Sequence, residues 1–433
     1  VSAHAAGRIS AVLTAGPLLS IALLLSGCLH TMQPIDPTRL AVSSEAATRL
    51  KADVDFLAGP QLRGRLPGTS GNRLAADRIA AAFREASLVP FASMPTFRQT
   101  ISSIHGDNVL GYRPSTGSSL GWILVGAHYD HLGGEFAGAD DNASAVAIMM
   151  ELARTLPSLS NYSVVFVAFN TEENPYFGTP HMGSEFFIAH LPVEIGKLDS
   201  FQAVVIMDLI GGVQWQPIRD VIFAAGAEKS SGLYRRVRDA IHQPAPLAPD
   251  PSRVTILPEG RSAHTSRLTV LPVGMHLIEE IPGRGHHPVS DYDGFRNRSV
   301  PYLFLSSART PRYHTPNDKA DTLYYERMAS TVQWLRELLT LMDADREKYG
   351  FEPERIEWED EVNAFRHVTR HAVNEDTLIP GTSRLSLRKL RQDAEWLNNM
   401  DGTQPTGADL ERLERISIRF QCLLADYSGC FMF

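Results

Sequence analysis

The chain has 433 residues, 43% of them apolar and 21% charged, an ordinary globular composition that excludes bulk disorder and leaves room for one large domain with an appendage. Its formal net charge of −8 excludes a general nucleic-acid binder, which needs a basic excess. The sequence has no internal repeat, no low-complexity block and no Walker or Rossmann phosphate loop.

The chain opens with "VSAHAAGR", an apolar "ISAVLTAGPLLSIALLL" and "LSGC". This is the pattern of a secretory signal with small residues before its cleavage site. Gly16 and Pro17 interrupt a run shorter than the ~20 residues of a membrane-spanning helix, which favours a removed signal over an anchor. The ending Leu-Ser-Gly-Cys resembles a bacterial lipobox, and the resemblance implies a lipid on Cys28. Residues 1–28 are therefore expected to be a lipoprotein signal, with an exported product anchored to a bacterial membrane. Residues 29–43, with the polar "HTMQPIDPT", read as a tether. The other two cysteines, Cys422 and Cys430, form either a short-loop disulfide, which export permits, or two thiols.

Residues 44–59 and "RLAADRIAAAFREASL" read as helices, the second with Leu74, Ile79, Ala82 and Phe83 near one face. "GWILVGAH" reads as a buried strand. Residues 143–156 follow as a helix, with Val146, Met149, Met150, Ala153 and Leu156 at helical spacing. "YSVVFVAF" is another strand, and "SEFFIAHL" opens a helix with Ser184 as its cap. Further strands are expected at 201–210, 220–226, 274–280 and 300–306. "SSGLYRRVRDAIHQ" and "YYERMASTVQWLRELLTLMDA" are helices. Continuous apolar strands alternating with helices specify an α/β fold. The expected architecture is a three-layer sandwich, with a mostly parallel mixed central sheet flanked by helices. It occupies 44–346. From 347 to 433 the texture shifts to charged amphipathic helices, a C-terminal helical extension.

Ligand-type residues gather where these strands end, the place where open α/β sheets bind ligands. His128 ends one strand and Asp130 follows it. Glu172 and Glu173 follow a second, Asp208 ends a third, and His314 lies beyond a fourth. Asp140 joins from a glycine-rich loop, while its neighbour Asp141 reads as a cap of the helix that follows. Histidine and carboxylate suit a divalent cation, and the set exceeds the needs of one tetrahedral zinc. Two ions ~3.5–4 Å apart that share a carboxylate would use all of them.

The order HYD, GADDNAS before a helix, EE after a strand, a strand-end Asp and YHTPND resembles the M28 family of metallopeptidases, co-catalytic zinc aminopeptidases and their relatives. "LRGRLPGTSGNRLAADRIAAAFREASLVPF" and "SDYDGFRNRSVPYLFL" extend the likeness to roughly residues 45–340. The resemblance implies the zinc exopeptidase fold and two Zn2+ ions. It makes Asp140 the bridging carboxylate, His128 and Asp208 the other ligands of one ion, and Glu173 and His314 those of the second. Glu172 becomes the general base on a water activated by both zincs, and Asp130 orients the His128 imidazole. A cis peptide is implied after the bridging residue, at Asp140–Asp141. The implied reaction is removal of N-terminal residues from peptides with a free amino terminus. The loop "NPYFGTPH" departs from the family pattern, so substrate preference does not carry over.

Two alternatives remain within the family: a single-zinc acyltransferase resembling glutaminyl cyclases, and a non-catalytic binding protein with decayed ligands. None of the implied ligands is replaced here. "GSSLG" matches a serine-hydrolase elbow at Ser119, but the elbow needs a strand before it and a helix after it. Here a turn precedes and a strand follows, which makes Ser119 a loop serine.

Overall fold

The computed structural model describes residues 38–213, 216–242, 263–281, 285–372, 384–400 and 405–425. The signal and lipobox readings at 1–28 lie outside the described residues, as do Cys430 and the side chain of Cys422. Among the described residues no helix is long and apolar enough to cross a membrane.

In chain order the strands are β1 (Thr38–Ser43), β2 (Arg98–Ile101), β3 (Gly106–Arg113), β4 (Gly121–His128), β5 (Tyr162–Phe169), β6 (Phe201–Met207), β7 (Val221–Ala225), β8 (Ala263–Val273), β9 (Glu280–Ile281), β10 (Gly285–His286) and β11 (Tyr302–Ser306). The helices are α1 (Ser44–Leu57), α2 (Ser70–Glu85), α3 (Ala145–Thr155), α4 (Gly183–Ala189), α5 (Ser231–His242), α6 (His276–Glu279), α7 (Asp293–Arg296), α8 (Tyr325–Asp343), α9 (Trp358–Ala372), α10 (Arg384–Asn399) and α11 (Gly407–Ala425).

Nine strands make one mixed sheet in the order β1-β8-β7-β11-β6-β4-β5-β3-β2. Its centre, β11-β6-β4-β5, is parallel. Antiparallel pairing bounds that centre on both sides, through β7 and through β3. Every residue of β5 and β6 is buried, because helices cover both faces. Side chains alternate between two apolar layers. Ile123, Val125, Phe166, Val205 and Leu303 belong to the core that α2, α3 and α8 supply with Ile79, Phe83, Met149 and Leu335. Phe169 and Phe201 point the other way and meet Phe187 of α4 and Phe295 of α7. Each such ring removed from water contributes about 1.5–3 kcal/mol. The α/β three-layer architecture is therefore as the sequence specifies.

Several local readings change. Residues 38–43, expected in the tether, form β1 and pair with β8 at the sheet margin. The segment expected as a strand at 274–280 is mostly the single turn α6. Met275 and Leu277 are both buried, and apolar alternation over so few residues does not separate a strand from a helical turn. Ser184 lies inside α4 rather than capping it; Met182 holds that position without a side-chain cap. Leu74 is 44% exposed and leaves the core face of α2 to Ile79, Ala82 and Phe83.

The C-terminal helices are fixed to the sheet domain. His276 of α6 sits between two carboxylates, Nε2 2.9 Å from Glu361 of α9 and Nδ1 3.3 Å from Glu414 of α11. Ser417 of α11 donates to the Leu277 carbonyl at 2.5 Å.

Candidate metal centre

In the parallel centre of the sheet the carboxyl ends lie side by side. His128 is opposite Phe169, Gly126 opposite Ile206, and Leu305 opposite Met207. His128 therefore projects beside the loops that carry Glu172, Glu173, Asp208 and His314. The backbone is strained at these exits: Thr171, Leu209 and His314 all have positive φ (58°, 51° and 53°). Such conformations cost about 1–3 kcal/mol for residues with a side chain and collect at functional sites.

Two groups of ligand atoms form there and share one carboxylate. His128, Asp141 and Asp208 make the first, and His131, Asp141, Glu173 and His314 the second. In the first, His128 Nε2 lies 3.3 Å from Asp141 Oδ1 and 3.5 Å from Asp208 Oδ1. In the second, His314 Nε2 lies 3.1 Å from Asp141 Oδ2 and 3.3 Å from Glu173 Oε1. Glu172 belongs to neither group, but its Oε2 stands 3.8 Å from His128 Nε2.

The shared carboxylate is thus Asp141 and not Asp140, a correction of one residue. The chain turns at Gly138 (φ 60°) and leaves helical geometry at Asp141 and Asn142, so the two adjacent aspartates face different ways. Asp140 Oδ1 instead accepts the N–H groups of Gly211 and Gly212 at 2.9 and 2.7 Å. The cis peptide is displaced in the same sense, to Asp141–Asn142. Asp130 stands beside His128 and also braces the loop after β5. Its carboxylate accepts the backbone N–H groups of Glu172 and Glu173 at 3.1 and 3.2 Å, and it stays 3.7 Å from His128 Nδ1.

Buried side chains hold this frame. Asp318 accepts the N–H groups of Asp140 and Asp141 at 2.8 and 3.0 Å. Arg65, fully buried, donates to the carbonyls of Leu57, Tyr129, Ala137, Gly138 and Asp141. Arg327 donates to the carbonyls of Ile210, Gly212, Arg219 and Val221. Burial lowers both guanidinium pKa values to about 10, while Asp141 and Asp318 favour the charge of Arg65 and Asp140 that of Arg327.

The electrostatics call for cations. Burial, with Asp208, Asp291 and Glu173 nearby, pushes the Glu172 carboxyl well above its usual range, against the pull of His128. Burial opposes charge on His314, but Asp141 and Glu173 push its pKa up to about 9. Both nitrogens of His128, Asp141 Oδ2, Asp208 Oδ1 and His314 Nε2 are buried without a hydrogen-bond partner. Buried polar atoms are otherwise almost always paired. Apart from His128 Nδ1, which faces Asp130, these atoms belong to the two groups, and their nitrogen and oxygen chemistry fits zinc or a similar divalent ion.

Sequence reasoning missed His131, Asp318, Asp291 and the structural part of Arg65. His131 stands in "HYDH", immediately after residues that did attract notice. Asp291 is fully buried with neither carboxylate oxygen paired. Ser119 is confirmed as a loop residue. Its Oγ donates to the Gly121 carbonyl, and β4 follows it.

A family model described as Peptidase family M28 matches residues 108–339. The uncharacterized protein YfbL of Escherichia coli K12 is 28% identical over 242 residues, 53% of this chain and 69% of that protein. A glutaminyl-peptide cyclotransferase of Drosophila melanogaster is 24% identical over 47% of this chain and 56% of its own length. Aminopeptidase YwaD of Bacillus subtilis is 25% identical over 40% of this chain and 34% of its own. Among solved structures, the Legionella pneumophila LapA aminopeptidase matches with a TM-score of 0.50 and 15% identity, over 69% of this chain and 71% of that one. That likeness concerns the fold alone.

Proposed function

On the premise that this chain belongs to peptidase family M28, we propose that it is a zinc-dependent aminopeptidase holding two Zn2+ ions. The observation that carries the reading is the pair of buried ligand groups sharing Asp141, with Glu172 beside them and outside both. His128, Asp141 and Asp208 would hold one ion, and Asp141, Glu173 and His314 the other. Ions in these positions supply Lewis acidity to a scissile carbonyl and lower the pKa of water to about 7.

The chain's own residues supply the rest. Glu172 accepts a proton from the attacking water and returns it to the leaving amine. Its place beside His128 and outside both ligand groups leaves its carboxylate free to take and give that proton. Asp130 fixes the Glu172 and Glu173 backbone, which keeps one glutamate off the ions and the other on them. The excess of carboxylates favours a cationic substrate terminus over an anionic one. His314, 30% exposed and stacked on Tyr313, marks the solvent side of the site. Export and a lipid on Cys28 belong to the same proposal; mass spectrometry of the membrane-fraction protein tests them, and an unmodified Cys28 counts against them.

The decisive experiment compares two neighbours. Glu172→Gln should lower turnover of aminoacyl amides by ~10²–10⁴-fold with metal content unchanged. Glu173→Gln should weaken zinc uptake. Normal turnover in Glu172→Gln removes the mechanism. The second reading, a single-zinc cyclase, draws on the cyclotransferase relative. One zinc per chain, with cyclisation of N-terminal glutamine, would favour it.

A further inference from the structure

We infer that His131 is a protein ligand that closes one of the two metal positions, so that the open position is the one beside Glu172. This rests on the two-metal reading above and adds an inequality between the two sites. Four donor atoms surround the second position. His131 Nδ1 lies 2.8 Å from Glu173 Oε1 and 3.8 Å from Asp141 Oδ2. His314 Nε2 lies 3.1 and 3.3 Å from the same two carboxylates. A tetrahedron with ~2.0–2.1 Å zinc bonds has edges of about 3.4 Å, and these separations bracket that value. The first group offers three protein donors, His128, Asp141 and Asp208. Zinc sites closed by four protein ligands are structural, and catalytic ones keep a position open.

The local chain makes room for the ring. Gly138 has φ +60°, and a Cβ there would stand 2.5 Å from His131 Cδ2. His131 is fully buried, its Nε2 has no partner, and its hydrogen bond is to Glu173. Nothing else among the described residues draws Nδ1 away from the ligand group. The position that includes His131 therefore fills first and releases its ion last. The three-donor position binds more weakly and is where substrate and water exchange.

The test titrates the metal-free full-length protein with Zn2+, and separately with Co2+ to read coordination number from the intensity of its visible absorption. Wild type should take up two equivalents in unequal steps, the first giving the strong four-coordinate cobalt band. In His131→Ala the tighter step should weaken by more than ~100-fold, beyond the 10–100-fold that loss of an outer hydrogen-bond partner costs. The weaker step should stay in place. His131→Asn keeps an amide donor near Nδ1 in a smaller side chain, so it tests ligation against mere support of Glu173. It should behave like the alanine variant. Wild-type binding in His131→Asn, or two unchanged steps in His131→Ala, overturns the inference while leaving the two-metal reading standing. Uptake of fewer than two equivalents by wild type, or full uptake by His314→Ala, overturns the two-metal reading and this inference with it.

Discussion

Asp140 and Asp141 are adjacent, alike and both buried, yet their replacement should have opposite consequences. Asp141→Asn leaves one side-chain oxygen where two now face His128 and His314, so at most one ligand group retains its donor. The negative charge that both positions share is also lost. Loss of a direct ligand should exceed the 10–100-fold cost of losing an outer partner. A hundredfold is about 2.7 kcal/mol, so at least one zinc should be lost to a competing chelator at a concentration that leaves the wild type loaded. Asp140→Asn keeps the oxygen that accepts from Gly211 and Gly212. Exchanging a charged acceptor for a neutral one costs about 1 kcal/mol per bond, and relief of a buried charge offsets part of it. The Asp140 variant should therefore fold, hold two zincs and keep most of its turnover. Zinc counting after gel filtration, with aminoacyl amide hydrolysis on the same samples, reads both. Full metal content in Asp141→Asn beside metal loss in Asp140→Asn would refute the assignment of the shared carboxylate.

Arg65→Lys should destabilise the protein by about 2–5 kcal/mol, because a lysine cannot reach the five carbonyls that Arg65 joins and at least two remain buried and unpaired. Urea unfolding measures this, and a loss under about 1 kcal/mol contradicts the clamp. Glu228, remote from the metal centre, has its pKa raised to about 7 by burial and by Glu361, against the Met275 N–H and Lys229. A carboxyl raised in the folded state binds its proton more tightly there, so stability falls as pH rises from about 4.5 to above 7, by about 3 kcal/mol in all. Glu228→Gln should flatten that part of the pH profile; an unchanged slope counts against the assignment. Ser119→Ala should leave turnover unaltered, and any large loss would reopen the serine-hydrolase alternative.

The central strands were legible because β4, β5, β6 and β11 are continuous apolar runs, buried on both faces. The margins were not. β2 has four residues, and β8 mixes Thr, Ser and Arg with Pro272, which disguises a strand. For the site, the ends of long strands announced His128, Asp208, Glu172 and Glu173. What failed was resolution within a turn. Which of two neighbouring aspartates faces the ligand groups depends on the φ and ψ of residues 141 and 142, which residue type alone does not dictate. His131 lay beyond a strand end, where alternation no longer reports direction. Asp318 acts through two backbone N–H groups from a distant segment, a contact visible only once the chain is folded.

The guanidinium clamps of Arg65 and Arg327 bear on the life of the protein before any ion arrives. They fasten the segments around Asp141 and Asp208 to the body of the molecule through main-chain carbonyls, not through the ligand side chains. Small zinc modules gain their fold from the ion and collapse under chelators. Here the mould is cast first, and the carboxylates are kept close against their own repulsion. Such a chain can fold empty and be stored folded, with supply of the ion rather than refolding deciding when it begins to work. Chelation should accordingly leave the far-ultraviolet circular dichroism unchanged, and added zinc should restore turnover without a refolding lag.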